Sequence, residues 1–170
     1  CLAVAGCGGD KSPGRNYDKE IDRLMGRMTL AEKIGQMNQV SGQSNPTGVL
    51  KQYSSLEGRV REGKIGTVLN VTGAATTREL QRIAVEETRL GIPLIFALDV
   101  IHGYKTISPV PLAESCSWDM ETIEASARMA AVEASAAGLQ WTFAPMVDIA
   151  RDPRWGRVME GAGEDPYLGS

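Results

Sequence analysis

The chain has 170 residues, 42% of them hydrophobic, with 18 Lys+Arg against 21 Asp+Glu and a net charge of −3. That is about one domain of ordinary globular chain, and with no basic excess or polybasic tract the charge gives no reason to expect nucleic acid as a partner. No apolar run reaches the roughly 18 residues of a membrane-spanning helix, and Cys1, Cys7, Cys116 and the single histidine, His102, are too scattered for a disulfide framework or a zinc site.

Residues 1–16 read as a lipoprotein signal remnant and tether, and residues 17–170 as the folded part. Cys1-Leu2-Ala3-Val4-Ala5-Gly6-Cys7 looks like the tail of an apolar signal segment running into small residues. Val4-Ala5-Gly6-Cys7 resembles a bacterial lipobox, and the polar Gly8 to Gly14 stretch behind it suits a flexible tether. The alternative is a chance run of small residues. On the lipoprotein reading Cys7 carries the lipid, the location is periplasmic or cell-envelope, and Cys116 remains as a lone thiol, expected buried as a small hydrophobe.

From Tyr17 the chain alternates between elements. Ile21, Leu24, Met25 and Met28 lie at helical spacing, and Thr29-Leu30-Ala31-Glu32 forms a capping box ahead of a second short helix through Ile34 and Met37. Gln36, Asn38, Gln39 and Ser41 to Gly48 read as a polar loop. Gly66 to Val71 is the first strand candidate. Thr76-Thr77-Arg78-Glu79 is expected to cap a helix running to about Leu90, which Gly91 ends. Pro93 to Asp99 is the second strand, nearly continuous in apolar residues and so expected to be buried on both faces, and it delivers Asp99 at its carboxyl end. Past His102, Tyr104 and Lys105, Asp119 or a neighbour caps a long helix with Ile123, Ala127, Ala130, Ala134 and Ala137 at three-and-four spacing, and Gly138 stops it.

Trp141 to Val147 then reads as a third, buried strand leading into Asp148-Ile149-Ala150-Arg151-Asp152-Pro153-Arg154-Trp155-Gly156-Arg157, with three arginines, two aspartates and a tryptophan in ten residues. Charges at the carboxyl end of a strand stand where α/β proteins bind ligands. Guanidinium forks and a planar ring suit a ligand with many hydroxyls, such as a sugar. The competing reading is a structural salt-bridge knot in which Asp148 and Asp152 pair with the arginines. Arg151, Asp152, Arg154, Glu160, Glu164 and Asp165 read as scaffold, and Trp155 as a packing platform.

Strand, helix, strand, helix, strand with short links implies parallel βα units. Periodicity alone leaves open a partial (β/α)8 barrel or an open doubly wound sheet. No glycine-rich phosphate loop joins the first strand to its helix, which argues against a nucleotide-binding domain.

Leu98-Asp99-Val100-Ile101-His102-Gly103, Ser117-Trp118-Asp119, Phe143-Ala144-Pro145, Asp148 through Arg157 and Gly163-Glu164-Asp165-Pro166-Tyr167 resemble, in order and spacing, the N-terminal part of glycoside hydrolase family 3, bacterial periplasmic β-glucosidases in particular. The resemblance covers about Tyr17 to Ser170. It implies an α/β fold, the N-terminal portion of a (β/α)8 TIM-like barrel that is incomplete in this chain. It also implies a retaining exo-acting β-glycosidase, most readily a β-glucosidase acting on β-linked oligosaccharides or β-glucosides. A β-xylosidase, an exo-β-glucanase or a lipid-anchored glycan-binding protein that does not cleave are the alternatives.

By the same resemblance Asp99 falls on the family's sugar-binding aspartate and Arg157 on the arginine of its Trp-Gly-Arg motif, while Asp119 lies near the site. A carboxylate can accept two hydroxyls and a guanidinium can donate a matching pair. The plain alternatives are a loop cap for Asp99, an ion-pair partner for Arg157 and a helix cap for Asp119. His102 reads as a loop-fixing hydrogen bonder. Retention needs two carboxylates about 5 Å apart, and in the family both come from beyond the position of Ser170, so residues 1–170 alone are expected not to catalyse. No metal or organic cofactor is implied. Ser108 stands where the family commonly carries a large apolar residue, which leaves either a void or a polar group to be satisfied.

Overall fold

The computed structural model describes residues 17–42 and 55–170. The tether, Cys7 and most of the loop expected up to Gly48 lie outside them. Helix α1 (Asp18–Arg27) carries the predicted apolar spacing and closes at Met28. Helix α2 (Leu30–Gln36) starts at the predicted capping box: Thr29 Oγ1 accepts the Glu32 N–H at 3.2 Å, and the Glu32 carboxylate accepts the Thr29 N–H at 2.8 Å. Strand β1 (Gln39–Ser41) follows at once and corrects the loop expected there. Its sequence is too short and polar to announce a strand. What makes it one is its parallel pairing with β2 (Thr67–Leu69), Val40 opposite Val68.

Helix α3 (Leu56–Arg61), capped by Ser55 at the Gly58 N–H, connects the two strands and has no counterpart in the sequence reading. Helix α4 (Ala74–Glu86) begins and ends earlier than expected. Thr77 does not cap it, because its N–H and hydroxyl both bond back to the Gly73 carbonyl, the backward bonding open to Thr inside a first turn. At the other end the Thr88 hydroxyl donates to the Ala84 carbonyl at 2.6 Å and accepts the Gly91 N–H at 3.1 Å, closing the helix before Leu90.

Strand β3 (Ile95–Leu98) pairs with β2 on one side and with β4 (Trp141–Thr142) on the other. The two are linked by α5 (Pro111–Ser115) and α6 (Met120–Ala136). All pairings are parallel and the order is β1-β2-β3-β4. A doubly wound sheet reverses its strand order at a switch point. An unreversed order with helices between successive strands is instead how a (β/α)8 barrel winds, so the topology decides what periodicity left open.

The core lies between one face of the sheet and the helices: Val68 and Phe96, adjacent in register, pack with Val60, Ile65, Leu80, Ile83, Ala130 and Ala134. The opposite face is less covered. Ala97 is fully buried there but Ile95 is 46% exposed, so the burial of β3 on both faces that was expected holds at its centre and not at its start. The third strand is likewise shorter than predicted and not buried: Trp141, Phe143 and Val147 are exposed. Pairing stops at Thr142 because the Ala144 N–H turns to the Thr142 hydroxyl and Pro145 has no N–H to give. Gly138 ends α6 as expected, at φ +86°, with Thr77 occupying the space a Cβ would need. Cys116 is exposed rather than buried.

Candidate functional site

The carboxyl ends of the parallel strands meet on one side of the sheet, and Asp99 stands there one residue beyond β3. It continues the alternation of Ile95 and Ala97, on the face turned away from the helices. The exit of β3 is pinned to that of β4 by one hydroxyl: Thr142 Oγ1 accepts the Val100 N–H and the Ala144 N–H, each at 3.2 Å. Asp99 itself is exposed, and among the described residues no group donates a hydrogen bond to its carboxylate. It lines a cavity with Ile101, His102, Ile107, Met159 and Glu160, an apolar wall with two carboxylates at its rim.

Arg157 joins this cavity through Glu160. The two residues bracket a short 3-10 helix (Val158–Glu160), in which the Glu160 N–H donates to the Arg157 carbonyl at 3.0 Å. Side chains three apart eclipse in such a helix. Glu160 Oε2 accepts from Arg157 Nε at 3.0 Å and from Nη2 at 2.6 Å. Glu160 foremost, then the charges of Asp148 and Asp99, push the guanidinium's pKa up, and Arg157 in turn holds the Glu160 carboxyl below the usual carboxylate range. The cluster therefore sets one fixed cation among three anions, with the Asp99 oxygens and the Arg157 Nη1 still able to bond a ligand.

The structure thus sets Asp99 on the cavity and Arg157 behind Glu160, near enough for the guanidinium to feel the charge of Asp99. Neither Arg157 nor Asp119 is among the residues lining the cavity itself, and among the described residues Asp119 has no link to it through Glu160. It caps α6, one oxygen accepting the Thr122 N–H at 3.0 Å and the other the Thr122 hydroxyl at 2.7 Å, and these bonds lower its pKa. His102 fixes its loop, with Nδ1 3.1 Å from the Ser108 carbonyl oxygen. The arginine segment divides between the two readings the sequence allowed. Arg154 pairs with Asp152 at 2.6 Å in an exposed local knot, while Arg157 pairs with Glu160, which lines the cavity. Glu160, read from sequence as scaffold, lines the cavity, and its place three residues after Arg157 was the one available signal.

Ser108 leaves no void. Its Oγ lies 2.7 Å from Ser126 Oγ, and the Ser126 hydroxyl donates to Glu114 Oε1 at 2.6 Å, so the polar group is satisfied by α6 and α5. Among the described residues no group of three or more His, Cys, Asp or Glu side chains could hold a metal ion, and no helix is long and apolar enough to cross a membrane.

The sequence model of the glycosyl hydrolase family 3 N terminal domain matches residues 29–170. The chain is 39% identical over 154 residues to the periplasmic beta-glucosidase of Salmonella typhimurium, covering 90% of this chain and 19% of that protein. It is 34% identical over 158 residues to a beta-xylosidase of Formosa agariphila, covering 90% of this chain and 17% of that one. Among solved structures, the beta-glucosidase of Listeria innocua in complex with isofagomine matches with a TM-score of 0.78 at 43% identity, over 90% of this chain and 21% of its own. The chain thus spans about a fifth of the length of these relatives.

Proposed function

The chain belongs to glycosyl hydrolase family 3, as part of its N-terminal domain, and on that footing we propose that the whole protein is a retaining, exo-acting β-glycosidase that removes terminal β-D-glucosyl residues. The observation that carries this reading is that Asp99, whose carboxylate accepts no hydrogen bond among the described residues, lines a cavity with Glu160, and that Glu160 holds the Arg157 guanidinium near enough to feel the charge of Asp99. Asp99 accepts two neighbouring hydroxyls of the terminal sugar. Arg157 donates to a third oxygen. A carboxylate and a guanidinium set on opposite sides of one ring distinguish a polyol from an apolar ligand by bonds that water must otherwise satisfy.

In this proposal Asp119 contributes by fixing the start of α6 rather than by touching the sugar. The nucleophile and the acid/base, about 5 Å apart for retention, come from elsewhere in the whole protein, so residues 17–170 supply binding without bond cleavage. The relatives include proteins named for glucosidase and for xylosidase activity. We favour glucose because the relative at 39% identity and the structural match at 43% both carry the glucosidase name.

We further propose a periplasmic location, in keeping with the name of the Salmonella relative, with Cys7 as a lipid attachment point. The test of function is hydrolysis of aryl β-glucosides and β-xylosides by the whole protein and by its Asp99→Asn and Arg157→Lys variants. The reading expects glucoside turnover in the parent and about a hundredfold loss of kcat/KM in Asp99→Asn, which removes one acceptor oxygen and leaves the other without its charge. A parent that binds glucose without cleaving any glycoside would favour the glycan-binding alternative.

A further inference from the structure

We propose that Glu133 is a positioning residue for the cavity beside Asp99, acting through the turn of residues 102–108; the inference rests on the glycosidase reading above. His102, Gly103 and Ile107, which wall the cavity, all belong to this turn. The turn closes on itself, with the Ser108 N–H donating to the His102 carbonyl at 2.8 Å and Gly103 bridged to Ile107. Its tip is held from outside. Glu133, in the last turn of α6, accepts the N–H groups of Lys105 and Thr106 on Oε2, each at 2.8 Å, and the Thr106 hydroxyl on Oε1 at 2.6 Å.

Three donors on one carboxylate, charge-assisted and therefore stronger than neutral bonds, fix the tip against rotation as well as displacement. These bonds, the Thr106 hydroxyl's foremost, keep the carboxyl below the usual carboxylate range. The base of the turn has its own tie to α6 and α5 through Ser108, Ser126 and Glu114. Gly103, at φ +106°, admits no side chain, because a Cβ would strike the Thr106 carbonyl oxygen. The turn is thus anchored to α6 at its tip and at its Ser108 base, and its wall is set before any ligand arrives. Glu133 does not line the cavity. Losing it removes preorganisation, a cost that falls on binding, so KM rises while the bond-breaking step keeps its groups.

The test uses the whole enzyme on an aryl β-glucoside. Glu133→Gln replaces one acceptor oxygen with an NH2 group that cannot accept. KM is expected to rise about tenfold, the scale of one lost charged hydrogen bond, with kcat within about twofold. Thr106→Val removes only the hydroxyl donor, leaves α6 intact and moves KM the same way by about threefold, which decides the matter if Glu133→Gln fails to fold. Ile83→Val, in the core on α4, measures a purely structural loss and is expected to lower Tm with KM unchanged. The proposal is overturned if Glu133→Gln and Thr106→Val behave like Ile83→Val, or if kcat falls while KM holds. A parent enzyme with no activity on any aryl β-glycoside overturns the glycosidase reading first and this proposal with it.

Discussion

The hydroxyl of Thr142 offers a direct probe of how the site is built. It accepts two backbone N–H groups, from Val100 just past Asp99 and from Ala144 just past β4, each at 3.2 Å and partly buried. Thr142→Val keeps the shape and removes the acceptor. A protein hydrogen bond contributes about 0.5–1.5 kcal/mol net, and at 3.2 Å both lie towards the long end of the N–H···O range. Together they are worth about 1–2 kcal/mol. The methyl that replaces the hydroxyl returns less than the ~0.8 kcal/mol of a fully buried CH2, because Thr142 is only half-buried. Thr142→Ser, which keeps the oxygen and loses the methyl, is the control. Urea unfolding at constant m reads the difference, with Thr142→Val expected to be the less stable variant and to show weaker glucose binding as Val100, and with it Asp99, loosens. If Thr142→Val matches or exceeds Thr142→Ser in stability, the two bonds do not pin the strand ends and the reasoning fails.

Two other perturbations follow from the same geometry. The carboxyl of Glu32 is held at about 2, against an ordinary 4.5, chiefly by the side chain of Arg89 and then by the Thr29 N–H. A folded pKa below the unfolded one makes this contribution complete above about pH 4.5 and lost as pH falls towards 2. Comparing urea midpoints at pH 7 and pH 3, the parent is expected to lose more stability on acidification than Glu32→Gln; an equal loss in both would remove Glu32 from the acid response. Gly138→Ala forces a side chain into a left-handed residue against Thr77 and should cost about 1–3 kcal/mol, seen as a lower Tm, whereas an unchanged Tm would mean that α4 and α6 are free to separate there.

Much of the frame was legible because it rests on local chemistry. The Thr29–Glu32 box, the Asp119 cap and the Gly138 stop each involve groups within a few residues of one another, and all three stand where the sequence put them. What was missed depends on distant partners. Gln39-Val40-Ser41 becomes a strand only through β2, 28 residues further on in the register of Gln39 with Thr67. Glu133 has the pattern of a solvated acid on a helix face, and only the fold brings the tip of the 102–108 turn to its oxygens. Trp141 to Val147 has the composition of a buried strand, yet the Ala144 N–H is spent on the Thr142 hydroxyl and its side chains alternate between exposed and half-buried. At the candidate site the sequence singled out Asp99 and Arg157 as sugar contacts and His102 as a loop-fixing residue. It did not single out Glu160, whose importance comes from the 3-10 geometry that aligns it with Arg157.

The measurement that bears most directly on the central claim is a crystal structure of the whole protein with glucose bound. The account predicts one sugar ring at the cavity beside β3, with both Asp99 carboxylate oxygens and the Arg157 guanidinium within about 3 Å of its hydroxyl oxygens. Glucose bound elsewhere, or bound with Asp99 facing solvent and Arg157 engaged only by Glu160, would contradict it.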